Sequence, residues 1–282
     1  MGEDRLLVTL GHGYSAAAVA ASLGGWRVVG TTRSPDKAAA MRRAAIEPLD
    51  WADRAAVDAA IVAADALLVS MPPEADGDPV LARHQAALGT ARPEWVGYLS
   101  TTGVYGDRKG GWVDEQSRLQ PAGERGRRRV RAEAGWQASG LPVHVFRLAG
   151  VYGPGRSAFD RLRDGRAQRL VKPGQVFSRV HVDDVARVIA ASMARPNPGR
   201  SYNVADDMPA PSEDVIEFAA RLLGLPVPPA VPFETAGLSP MAASFWAESK
   251  RVSNRRIREE LAVELAYPDY RAGLSAILAT GG

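Results

Sequence analysis

Short apolar runs alternate with helix-favouring stretches from Arg5 to Leu148, and a glycine turn joins the first pair. The runs Arg5–Leu10, Trp26–Thr31, Ile46–Leu49, Ala66–Ser70, Val96–Ser100 and Val143–Leu148 have strand length. Between them lie an Ala-rich segment ending at Leu23, a stretch opening at Ser34-Pro35-Asp36, then Ala52–Ala63, Val80–Leu88 and a segment running through Ala138. Ser34 suits an N-cap and Pro35 the first helical position, where proline's missing N–H costs nothing. Strands and helices alternating at this spacing predict βαβ units and one parallel sheet, because parallel neighbours need a crossover helix. The expected fold is therefore α/β, a Rossmann-like doubly wound sheet. Beyond Gly150 the rhythm breaks. The sequence predicts short strands at Val180–Val182 and Tyr202–Ala205 and a helix Val185–Ala194 capped by Asp183-Asp184. A further helix starts at the cap Ser212, Pro226–Pro232 is an extended connector, and helices close the chain near 241–246, 254–261 and 270–278.

The turn is Gly11-x-Gly13-x-x-Ala16, between a strand and a helix. Gly11 permits the tight bend, Gly13 leaves room for a pyrophosphate, and a small residue at 16 lets the helix lie close to the strand. The helix start, with Tyr14 and Ser15, then offers free N–H groups and positive partial charge to phosphates. A glycine turn in some other α/β fold is the plainer alternative. The second strand ends Gly30-Thr31-Thr32-Arg33, where an NAD site would carry a carboxylate for the ribose hydroxyls. Arg33 instead suits a 2′-phosphate, with Thr32 donating a hydrogen bond, so NADP(H) is favoured over NAD(H). A solvated loop arginine is the alternative. Asp50 ends the third strand near the expected adenine edge. Ser70, Met71 and Pro72 end the fourth strand at the carboxyl edge, where ligands bind in such sheets.

Composition narrows the partners. The 282 residues are 46% apolar, enough to bury a full core, and no run approaches the roughly 18 apolar residues of a membrane span. The start, Met1-Gly2-Glu3-Asp4-Arg5, carries no signal-peptide pattern, and with no Cys the chain has neither disulfides nor a thiol nucleophile. A cytoplasmic location is the expectation. Net charge is +3, from 35 basic and 32 acidic residues, which argues against nucleic acid as the partner. One dense basic run, Arg125 to Arg131, reads as an exposed helix start, with an anionic-ligand pocket or an RNA contact as alternatives.

Five further stretches share one resemblance. Ser100-Thr101-Thr102-Gly103-Val104-Tyr105-Gly106, Asp114-Glu115 before Pro121, Phe146 to Gly155, Arg179 to Ala186, and Tyr202-Asn203-Val204 stand in this order. Together with Ser249–Asn254 they resemble the short-chain dehydrogenase/reductase superfamily, in its extended NAD-dependent epimerase/dehydratase branch. The resemblance spans about residues 5 to 278. It implies one NAD(P)-binding domain over 1–282, a substrate lobe from about 151–178 and 206–270, and a small-molecule substrate, sugar or nucleotide-linked among the choices. It also implies a monomer or homodimer, since the family pairs through helices matching those near 80–90 and 125–138.

The resemblance fails at one place. The family carries Tyr-x-x-x-Lys after the Ser/Thr strand, and here Arg125 and Arg129 fall at those positions. Arginine stays protonated, so Arg125 cannot serve as the acid/base, whereas Arg129 can still bind a ribose by charge. Thr101 matches the family's Ser/Thr. Tyr105 is the best surviving phenol, with packing as its plainer role. Asp114 and Glu115 are carboxylates that desolvation could tune, or simple loop caps. Arg147, Tyr152, Arg156, Ser178 and His181 fall where the resemblance implies substrate contacts, with a structural hydrogen-bonding hub as the plainer role of His181. No metal-ligand spacing occurs. The resulting expectation is an atypical oxidoreductase acting on a carbonyl or carbinol, or alternatively a non-catalytic NADP(H)-binding sensor or partner-binding module.

Overall fold

The computed structural model describes residues 5–281, so the Met1–Asp4 start read above lies outside the described residues, as does Gly282. In chain order the first half comprises β1 Arg5–Leu10, α1 Tyr14–Ser22, β2 Trp26–Thr32, α2 Pro35–Arg43, β3 Glu47–Asp50, α3 Arg54–Ala63 and β4 Ala66–Val69. Two short helices follow, α4 Pro79–Arg83 and α5 Gln85–Thr90, then β5 Trp95–Thr101, a 3₁₀ turn Thr102–Tyr105, β6 Trp112–Val113, α6 Glu124–Gln137 and β7 Val143–Leu148. The second half carries β8 Gly150–Tyr152, α7 Ala158–Arg163, β9 Arg169–Val171, β10 Arg179–His181, α8 Val182–Ala194, β11 Ser201–Val204 and α9 Ser212–Leu222. It ends with β12 Ala230–Pro232, α10 Pro240–Trp246, β13 Arg251–Val252, α11 Arg255–Leu261 and α12 Tyr270–Ala279.

Seven strands form one sheet in the order β11-β7-β5-β4-β1-β2-β3, with every neighbouring pair parallel. The fold is the doubly wound α/β type. Its central strands are covered on both faces, which is why β4 is an unbroken apolar run, Ala66–Val69, with no exposed residue. One face packs Ala16, Val19 and Val188 from α1 and α8 against the sheet. The other packs Val57, Ile61, Ala132 and Trp136 from α3 and α6. The chain order reverses between β1 and β4, and ligands in such sheets bind outside the strand C-termini at that switch. A third cluster, around Tyr152, Phe159, Ile216, Tyr270 and Leu274, sits apart from the sheet and joins α7, α9 and α12. Among the described residues no helix is long and apolar enough to cross a membrane.

Local chemistry corrects several expectations. The helix expected at Val80–Leu88 is split in two at His84, whose ring is buried, bonded to Asp58 at 2.6 Å and set edge-on to Trp51 at 4.9 Å. Those contacts hold His84 at φ −117°, outside the helix. Helix α8 begins three residues early, at Val182. Its cap is His181, whose Nδ1 accepts the Asp183 N–H at 3.3 Å, and not Asp183-Asp184. Ser212 is the first helical residue of α9, not its cap. Within the proline-rich connector, Ala230–Pro232 pairs with β9.

Candidate cofactor cleft and substrate pocket

The glycine turn is held by three strands at once. Gly11 sits at φ +89°, and a Cβ there would stand 2.7 Å from Met71 Cγ, so the position requires glycine. Its N–H donates to Thr31 Oγ1 at 2.7 Å, the His12 N–H donates to the Thr31 carbonyl at 2.9 Å, and the Ser70 hydroxyl donates to the Gly11 carbonyl. A Cβ on Gly13 would meet nothing within 4 Å, so the space over the turn is open. Helix α1 starts there with no side-chain cap, and its first N–H groups are left for an anion. These features fit a dinucleotide pyrophosphate.

The cleft beside the turn has a volume of about 240 Å³ and includes Thr32, Arg33, Ser70, Met71 and Pro72, all singled out in the sequence. It adds three residues the sequence reading passed over: His12, Lys37 and Trp51. Burial lowers the pKa of His12, so its ring is neutral at pH 7. Arg33 and Lys37 are exposed and make no ion pair among the described residues. Ser34 caps α2 between them. Lys37 was detectable in principle, because one helical turn from Ser34 brings it back toward Arg33. Asp50 does not line the cleft: its carboxylate accepts the Ala52 N–H at 2.9 Å and shapes the turn after β3. Tyr14 turns the other way. Its hydroxyl donates to the Pro154 carbonyl at 3.0 Å, and Arg156 lies over its ring at 5.6 Å. Ser15 is half-buried in the first turn of α1.

At the end of β5 the chain separates structural from open positions. Glu133 of α6 and Arg147 of β7 form a buried ion pair at 2.9 Å, and the Ser100 hydroxyl donates to the same carboxylate. Arg147 also donates to Tyr105 Oη at 3.0 Å, and Tyr105 donates to Asn203 Oδ1 at 2.6 Å. Tyr105 is fully buried, and burial pushes its pKa up. Its hydroxyl is committed inside the core, which corrects its assignment as a proton donor. Arg147 is corrected in the same way: it is a core ion-pair partner and does not line the neighbouring cavity. Glu115 accepts the Asn203 N–H at 2.7 Å beside Arg256, and Asp114 accepts N–H groups of Gln116 and Ser117. Both carboxylates are loop and strand ties.

What remains open is a cavity of about 1000 Å³ whose wall includes Ser100, Thr101 and Thr102. Thr101 Oγ1 accepts the Gly103 N–H at 3.1 Å and so caps the 3₁₀ turn. Arg125 borders the same cavity, with its guanidinium 5.5 Å from the Phe245 ring of α10. Helix α6 can sit this close because of Gly126, where a Cβ would stand 3.1 Å from the Gly103 carbonyl. Arg129 does not line either cavity. Its Nη1 donates to Leu99 O and Tyr98 Oη, both at 2.9 Å, and to Met71 O at 3.4 Å. It therefore ties the cofactor cleft to the strand carrying Thr101. Tyr152, Arg156 and Ser178 line the cavity. Tyr152 donates to the Asp269 carbonyl, and Ser178 accepts the Val252 N–H. His181 does not line it; its ring is buried between Tyr152 and Tyr267, and its Nε2 has no partner among the described residues.

Three further cations border the cavity: Arg161, which no motif of the sequence marked, Arg179 and Lys250. They arrive from α7, β10 and the segment before β13; Arg179 and Lys250 stand in stretches that carry the resemblance, and Arg161 stands in none. Lys250 pairs with Glu248 at 2.6 Å. Arg179 is fixed by donating to the carbonyls of Phe177 and Ala210, each at 2.9 Å.

No protein-family model matches the chain. Protein YeeZ of Escherichia coli K12 is 30% identical over 281 residues, covering 93% of this chain and 96% of that protein. A conserved protein of unknown function from Silicibacter pomeroyi has a solved structure 53% identical, with a TM-score of 0.92 over 98% of this chain and 99% of its own. A structure from Methylobacillus flagellatus, assigned as an NAD-dependent epimerase/dehydratase, is 25% identical with a TM-score of 0.73, covering 99% and 98% of the two chains. The human epimerase family protein SDR39U1, solved with NADPH, shares the fold at 18% identity and a TM-score of 0.76, over 98% of this chain and 99% of its own. With the glycine turn, the Thr101 strand and the downstream motifs in one frame, the chain belongs to the NAD-dependent epimerase/dehydratase family, as an atypical extended member of the short-chain dehydrogenase/reductase superfamily with its NAD(P)-binding Rossmann fold.

Proposed function

We propose that the chain is an NADP(H)-dependent oxidoreductase acting on a carbonyl or carbinol carbon without the usual Tyr-x-x-x-Lys pair. The observation that carries this reading is Arg129, which bonds Met71 in the cofactor cleft and Leu99 two residues before Thr101, so the two cavities are neighbours. The Gly11–Gly13 turn and the start of α1 would hold the pyrophosphate, and Arg33, Lys37 and Thr32 the 2′-phosphate. Bound there, the nicotinamide would supply or accept a hydride. Thr101 orients the substrate oxygen. Arg125, at the tyrosine's place, donates hydrogen bonds to the oxygen on which negative charge grows. It stabilises that charge and keeps its own proton, and the proton taken up by the product comes from water in the open cavity. Residues 151–178 and 206–270 would form the substrate lobe, and the substrate is a small molecule, sugar or nucleotide-linked compounds among its classes.

A second reading has one observation in its favour. Tyr105, the phenol nearest to Thr101 in the sequence, is buried with its hydroxyl on Asn203, which suits a protein that binds NADP(H) without turning it over. Titration with NADPH and NADH, followed by nicotinamide fluorescence, tests what both readings share. Tight NADPH binding that Arg33→Asp abolishes or switches toward NADH supports the cofactor assignment. Failure of both nucleotides to bind overturns both readings. Steady NADPH consumption with any carbonyl substrate then decides for the enzyme.

A further inference from the structure

The large cavity has an uneven charge balance. Arg125, Arg156, Arg161, Arg179 and Lys250 border it against only two carboxylates, Asp160 and Glu248. Both carboxylates are already engaged: Asp160 accepts the Ser157 N–H at 2.6 Å and its hydroxyl at 2.9 Å, and Glu248 holds Lys250. None of the four arginines makes an ion pair among the described residues. Within α6, Glu124 binds Arg127, Arg128 and Arg131 but leaves Arg125 to the cavity.

The cations fall into two groups. Arg125 stands beside the Thr101–Gly103 turn, at the end where the reaction would occur. Arg161 and Arg179 lie on the lobe side of the cavity; desolvation lowers the pKa of both, Asp160 and Asp206 oppose it, and Arg161 adds a smaller lowering at Arg179. Desolvated guanidiniums without an ion pair are unfavourable unless an anion joins them. Arg179 is already fixed by two backbone carbonyls, so it would lose little freedom on binding one.

We infer that this cavity takes a two-ended oxyanion, with one anionic group on Arg125 beside Thr101 and a second on the Arg161–Arg179 pair. The inference rests on the cavity being the substrate site of the proposed oxidoreductase. It means that the anionic group held by Arg125 adjoins the reacting carbonyl or carbinol carbon and is not itself the group that exchanges hydride. Carboxylates and phosphates both supply such ends.

Calorimetric titration tests this with linear α,ω-dicarboxylates of increasing length, monocarboxylates of matched length, and α,ω-bisphosphonates. Each ladder is run at constant ionic strength on the protein alone and on the protein with NADPH. The expected result is one chain length at which the two-ended anion binds at least ~10-fold tighter than its one-ended analogue, about the worth of one charge-assisted hydrogen bond. Arg125→Gln and Arg161→Gln should each bring that preference within about threefold of the one-ended analogue, for the same reason. A preference for bisphosphonates or for dicarboxylates identifies the end groups, and either supports the inference. Equal binding of one-ended and two-ended anions at every length overturns it, as does a preference that survives both substitutions. NADPH binding with a flat ladder would overturn this inference alone. An intact ladder without NADPH binding would overturn the oxidoreductase reading alone.

Discussion

Glu133 and Arg147 decide what the residues around the active strand can do. Their buried pair takes up Ser100 and, through Arg147, Tyr105, so the phenol that looks catalytic in the sequence is spent on architecture together with the neighbouring Ser100 hydroxyl. Breaking one partner leaves a buried charge uncompensated. Arg147→Met is therefore expected to cost about 3–5 kcal/mol, measured by urea unfolding. In the cofactor cleft Lys37 stands with Arg33 and Thr32, the two residues to which the sequence pointed. Lys37→Ala is expected to weaken NADPH binding roughly tenfold while leaving NADH unchanged, read by the same fluorescence titration. Equal losses for the two nucleotides would remove Lys37 from the 2′-phosphate.

Helix α6 explains the arginine run. Hydrogen bonds from Arg127, Arg131 and Arg128 pull the Glu124 carboxyl down to about 2, so three of the five arginines share one carboxylate on the solvent side. Arg129 turns inward and Arg125 borders the cavity, so one run serves three surroundings. The 3₁₀ turn against which α6 packs ends at Gly106, at φ +70°, where a Cβ would stand 1.8 Å from the Gln120 carbonyl. Gly106→Ala is expected to destabilise by more than about 1 kcal/mol and to displace Thr101. Unfolding midpoints check the first effect. A variant as stable as the parent would show that the Gln120 segment yields freely.

Asp206 couples the sheet to the lobe. It follows β11, its N–H donates to the Arg179 carbonyl at 2.6 Å, and one of its carboxylate oxygens is buried without a partner. Burial pushes its pKa up to about 8. The native state therefore keeps a proton that the unfolded chain releases near pH 4, and stability falls as pH rises between those values. The Asp206→Asn variant should match the parent near pH 4. It should then gain on it by about 1.4 kcal/mol per pH unit at most, levelling off near pH 8. Denaturation across that range tests this, and a constant difference between the two proteins would show that Asp206 ionises normally.

The βα rhythm, the glycine turn and Arg33 were legible in the sequence because each depends on neighbours a few residues away: strand period, helix start, backbone freedom at Gly11. The same locality let the Thr101 strand be recognised and the loss of the tyrosine be noticed. The fates of Tyr105, Arg147 and His181 were not legible. Their partners, Asn203, Glu133 and Tyr267, lie on other elements, and only the packed fold determines whether a hydroxyl or guanidinium faces the cavity or the core. Arg161 was invisible for the same reason: no motif surrounds it, and only the fold brings α7 to the cavity that Arg179 also borders. The sequence alone determined the scaffold and the cofactor end. Burial and long-range pairing, which a linear pattern does not encode, decided which polar side chains remain free to act.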